Sequence, residues 1–103
     1  MSLQIQSNYN QELNKWDLKL EGEIDLFTAS KLKAKIEEAY EINQSNIELD
    51  LTDLNYIDST GLGVMIGAYG KMKENNKSII LLNPKDNIKK LLSITNLDKV
   101  LCP

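Results

Sequence analysis

The sequence contains no histidine and no arginine, and it has a single cysteine. Without imidazole there is no Ser–His or Cys–His nucleophile pair and no histidine metal ligand. Without guanidinium, the planar fork that reads phosphates and base edges is missing. All 12 basic residues are lysines, set against 15 acidic ones for a net charge of −3. No lysine block dominates any segment. That argues against nucleic-acid binding, whose affinity comes mainly from neutralising phosphates. Cys102 has no partner for an intrachain disulfide, which suits a reducing compartment, and it reads as a tail residue. The longest purely apolar run, Ile79 to Leu82, is far too short to cross a bilayer. The N-terminus lacks a basic-then-apolar signal pattern. The carboxylates are nowhere grouped for acid–base work. These absences suit a cytoplasmic protein and remove much of enzymology; the expectation is a protein that is not an enzyme and takes no metal, cofactor, membrane or nucleic acid.

What is present is enough for one core. A chain of 103 residues, 42% hydrophobic, fits a single domain over residues 1–103. Leu3, Ile5, Ser7 and Tyr9 alternate with polar residues, and Trp16, Leu18, Leu20 and Ile24 repeat the pattern. With the polar turn Asn10 to Asn14 between them, they read as an N-terminal antiparallel hairpin ending near Gly22. Thr28 is placed to cap a helix, and Ala29, Leu32, Ile36, Ala39 and Tyr40 follow at helical spacing. Ile47, Leu49 and Leu51 form a strand, with Thr52 to Ile57 a mixed connector whose Leu54 and Ile57 are expected to face the core. Leu62, Met65, Ile66, Tyr69 and Met72 mark a second helix. Ile79 to Leu82 reads as a strand covered on both faces, a third helix begins near Asp86, and Leu97, Val100 and Leu101 dock a short terminal element. The order predicts an α/β fold: a mixed, largely parallel sheet of about four strands flanked by helices.

Four of the five glycines fall between Gly61 and Gly70, in the second helix. Each interior glycine costs about 1 kcal/mol relative to alanine. Gly63, Gly67 and Gly70 share a face, and close approach of the helix to a sheet is the preferred explanation.

The chemistry concentrates in Asp58-Ser59-Thr60-Gly61-Leu62-Gly63, between a strand and a helix. Free N–H groups and the positive end of the helix dipole converge there. Three readings are open. Asp58, Ser59 or Thr60 caps the helix, which local pattern alone favours. The glycines cradle a phosphate, although G-x-G-x-x-x-G misses the dinucleotide fingerprint by one residue and lacks the Gly-Lys-Ser/Thr of a nucleotide loop. Or Ser59 is a phosphoacceptor.

Gly22-Glu23-Ile24-Asp25 with its following helix, and Asp58-Ser59-Thr60-Gly61-Leu62-Gly63-Val64 with its own, resemble the STAS domain. More narrowly the chain resembles the stand-alone anti-sigma factor antagonists of bacterial stress and sporulation regulation, with Ser59-Thr60 leaning to the stress branch. The resemblance covers nearly the whole chain. It implies that the unphosphorylated form binds an ATP-bound anti-sigma factor of kinase fold and frees a sigma factor. That partner is also a serine kinase, acting on the first hydroxyl residue after the loop aspartate, which is Ser59. A PP2C-type phosphatase reverses the step. Asp25 matches a partner-surface position, while Leu26 and Phe27 fall where the family varies. Asp58, Thr60, Gly61, Leu62 and Gly63 complete the implied partner surface, Leu62 being either an apolar anchor or core. Two alternatives remain: a STAS module in a transporter or signalling assembly, or a nucleotide-binding protein using the glycine-rich loop.

Overall fold

A computed structural model describes residues 2–103. Strand β1 (Leu3–Asn10) and strand β2 (Lys15–Ile24) form the hairpin, paired antiparallel from Leu3↔Gly22 to Asn10↔Lys15. Helix α1 (Ala29–Ile42) follows, then β3 (Asn46–Ile57), α2 (Ser59–Glu74), β4 (Ile79–Leu82), α3 (Asp86–Ile94) and α4 (Asp98–Leu101). The sheet order is β1-β2-β3-β4, with β3 parallel to both β2 and β4.

Alternation builds the core. Leu3, Leu18, Leu20, Ile47, Leu49 and Ile79 point to one face of the sheet and are buried there. Leu32, Ile36, Met65, Ile88, Leu92 and Leu101 bring all four helices onto the same cluster. The opposite face is polar, with Lys15 bonded to Asp17 and Glu48 and Lys19 paired to Asp53. β4 is therefore not equally covered on its two faces: Ile79 and Leu81 are buried, Ile80 and Leu82 only half-buried.

The expected connector over residues 52–57 is strand. β3 pairs with β2 as far as Ile24↔Ile57, with register shifts between Lys19/Glu21 and Gly22/Glu23. At each shift β3 carries one residue more than β2. Its inward positions consequently run Leu49, Leu51, Leu54, Ile57, and the period of two is lost. Gly22 also stays within β2. Its φ is +112°, and a Cβ there would lie 2.2 Å from the Ser2 carbonyl oxygen.

The glycine expectation is overturned for three of the four. A Cβ on Gly63, Gly67 or Gly70 would meet nothing within 4 Å. Gly63 and Gly67 border an open groove of about 620 Å³ between α1 and α2, and do not pack on the sheet.

Candidate functional site

β2 and β3 run parallel, so the chain leaves both at the same sheet edge. There the Asp58 N–H donates to the Ile24 carbonyl at 3.1 Å, holding the two exits side by side. In an α/β sheet this carboxyl edge is where binding groups gather.

Asp58 is the cap of α2. Its Oδ1 accepts the N–H groups of Thr60 at 2.9 Å and Gly61 at 3.1 Å, and its carbonyl accepts the Leu62 N–H at 3.1 Å. Ser59 is thus the first helical residue, exposed, and not the cap. Thr60 is exposed as well. Asp58→Ala is expected to cost about 1 kcal/mol, a fall in melting midpoint of roughly 4–8 °C, with Asp58→Asn restoring most of it. An unchanged midpoint for the alanine variant would show that Asp58 does not hold the helix start.

Gly61 and Leu62 sit differently from the partner-facing expectation. A Cβ on Gly61 would lie 2.5 Å from Ile24 Cγ2 and 2.7 Å from Ile57 Cγ1. The close approach it permits is internal, helix onto strand ends, and not toward a partner. Leu62 is 5% exposed and belongs to the core cluster. Of its two expected roles the structure gives core. Gly63 remains open to solvent.

Asp25 is only 7% exposed. Its Oδ1 accepts the N–H of Phe27 at 2.9 Å, the N–H of Thr28 at 3.0 Å and the Thr28 hydroxyl at 3.2 Å. Thr28 Oγ1 accepts the Asp25 N–H at 2.9 Å and lies 2.9 Å from the Glu23 carbonyl. Thr28 occupies the cap position of α1 without a side-chain capping bond. The carboxylate of Asp25 therefore closes the turn that carries Leu26 and Phe27. Sequence reasoning missed what that turn displays. Phe27 is 84% exposed and Leu26 69% exposed. The family-variable character of the two positions was their one signal in the sequence.

Two of the amides a bound phosphate would need at α2 are already taken by Asp58. The glycine-rich segment lies inside helix α2, with Gly61 packed on Ile24 and Ile57, and is not an open loop. Among the described residues no group of three or more His, Cys, Asp or Glu is placed to hold a metal ion, and no helix is long and apolar enough to cross a membrane.

Cys102 follows α4 and is half-buried. Burial pushes its thiol pKa up, and the charge of Asp98 adds to the effect. Less thiolate forms at neutral pH. Alkylation by iodoacetamide is expected to be slower in the folded chain than in the urea-unfolded chain at the same pH. Equal rates would contradict this.

One four-stranded sheet with helices packed on one face, and the exposed hydroxyls of Ser59 and Thr60 at the start of α2, make an α/β domain with its distinctive loop at the carboxyl edge. The chain belongs to the STAS domain family, whose model matches residues 8–103. An anti-sigma-B factor antagonist of Listeria monocytogenes is 35% identical over 82% of this chain and 75% of its own length. A Thermotoga maritima protein, assigned as an anti-sigma factor antagonist, shares the fold with a TM-score of 0.86 at 22% identity, over 94% of this chain and 82% of that one. The Bacillus anti-sigma factor antagonist SpoIIAA matches in both its states. Its unphosphorylated form has a TM-score of 0.71 at 24% identity over 87% of this chain and 82% of that one. Its phosphorylated form has a TM-score of 0.71 at 23% identity over 96% and 87%.

Proposed function

We propose that this chain is an anti-sigma factor antagonist switched at Ser59. Unphosphorylated, it binds an ATP-bound anti-sigma factor of kinase fold and so releases a sigma factor. Phosphorylated on Ser59 by that same partner, it no longer binds; a PP2C-type phosphatase restores it. The protein itself is a cytoplasmic binding module and performs no catalysis.

The observation that carries this reading is the position of Ser59. It is exposed at the first helical residue of α2, while Asp58 does the capping, so its modification leaves the cap intact. A phosphoserine brings about −1.5 to −2 charges. Thr60 and Gly61 already give their N–H groups to Asp58, so the phosphate cannot use them without displacing a carboxylate. The new charge stands outward, beside Asp58. The fold has no reason to change, and the near-equal likeness to both states of SpoIIAA agrees with that.

Asp25 and Asp58 shape the surface, and Ser59, Thr60 and Gly63 form its exposed part. The test is incubation with the cognate anti-sigma factor and ATP, followed by intact-mass measurement and peptide mapping. One phosphoryl group is expected, on Ser59, and none on Ser59→Ala. Equal labelling of Ser59→Ala, or a phosphate mapped to Thr60, would remove the assignment.

A further inference from the structure

Among the described residues eight large apolar side chains are exposed, and Phe27, the chain's single phenylalanine, is the most exposed of them. Leu26, beside it in the same turn, is 69% exposed. Scattered exposed apolar residues need no explanation, but two adjacent ones held out by one fixed turn do. The turn starts next to the Ser59 loop, because Ile24 pairs with Ile57 and the Asp58 N–H donates to the Ile24 carbonyl.

The turn is also fixed in advance. Asp25 Oδ1 accepts the N–H groups of Phe27 and Thr28, the Asp25 carbonyl accepts the Ala29 N–H at 2.9 Å, and Thr28 Oγ1 ties the turn to the end of β2. An aromatic presented by a preorganised turn loses little further freedom on binding, the usual condition for a residue that dominates an interface. The buried Asp25 carboxylate has its oxygen Oδ1 directed at these turn groups, not at solvent.

We infer that Phe27, with Leu26, is the apolar anchor by which this edge seats in an apolar pocket of the anti-sigma factor, and that Asp25 is its positioning residue. The inference rests on the proposed function. It adds the reason that a charge on Ser59 is so costly: the phosphate sits beside a contact that must be dry.

The experiment is calorimetric titration of the cognate anti-sigma factor with the full chain and its variants. Phe27→Ala is expected to bind roughly 10–100-fold more weakly, the loss of one buried aromatic contact. Its melting midpoint should not move, since Phe27 touches water in the free chain. Leu13→Ala is the control: Leu13 is 65% exposed at the far end of the hairpin, and binding should be unchanged. Asp25→Ala should lose affinity, whereas Asp25→Asn, which keeps an acceptor oxygen for the turn, should bind almost as tightly as the natural chain. Loss in Phe27→Ala with rescue in Asp25→Asn supports both roles. Natural affinity in Phe27→Ala, alongside weak binding by Ser59→Asp, overturns the anchor but leaves the proposed function standing. Equal loss in Asp25→Asn and Asp25→Ala overturns the positioning role. No binding by the natural chain would overturn the proposed function and the anchor with it.

Discussion

Ser59→Asp is expected to weaken binding to the cognate anti-sigma factor by about 100-fold or more while leaving the fold intact. The two halves of that result have separate causes. Within the domain, residue 59 is exposed at the start of α2, whose first turn holds no acidic residue. A carboxylate there meets the favourable end of the helix dipole, offset by the adjacent Asp58, so stability should change by less than about 1 kcal/mol. At the proposed interface the same charge must shed water beside Asp58. Opposing a carboxylate to a dry surface costs several kcal/mol, and about 1.4 kcal/mol is a factor of ten. Circular dichroism and the melting midpoint report the first half, titration the second. Lost binding accompanied by a lowered midpoint would point to a damaged loop and not to a switch.

Two glycines six residues apart in α2 should respond in opposite directions. Gly61→Val is expected to destabilise by about 3 kcal/mol, a midpoint lower by on the order of 10–20 °C. The new Cβ falls 2.5 Å from Ile24 and 2.7 Å from Ile57, and both neighbours are buried and β-branched. They cannot swing aside as the tip of a long side chain would. Gly67→Ala, by contrast, adds a methyl to open space. It should stabilise by about 0.5–1 kcal/mol, through helix propensity and a less flexible unfolded chain. Denaturant unfolding of both variants checks the pair. Equal destabilisation would mean that Gly67 also packs closely.

Local periodicity was enough to place most elements. The buried set Ala29, Leu32, Ile36 and Ala39 of α1 follows from spacing alone, and so does the hairpin with its turn at residues 11–14. Periodicity failed where tertiary pairing intervenes. The two extra residues in β3 break its alternation, so residues 52–57 read as a connector, although the core-facing places of Leu54 and Ile57 were legible. The glycines of α2 show the same limit. Gly61 and Gly67 are identical in sequence terms, yet one sits under two isoleucines and the other faces a groove. At the site, the choice of cap among Asp58, Ser59 and Thr60 needed backbone geometry, because all three are good caps. Leu62 lies on a helical stripe that permits core or surface until the sheet beneath it is known. Phe27 was the least legible: hydrophobicity predicts burial, and only the turn closed by Asp25 turns it to water.

The most direct measurement is displacement of the sigma factor from its complex with the anti-sigma factor, followed by gel filtration or native mass spectrometry. The chain is added in two forms, unphosphorylated and phosphorylated on Ser59. The unphosphorylated chain should free the sigma factor and take its place. The phosphorylated chain should leave the complex intact, and phosphatase treatment should restore displacement. Equal displacement by both forms would contradict a switch at Ser59, and displacement by neither would contradict the antagonist function itself.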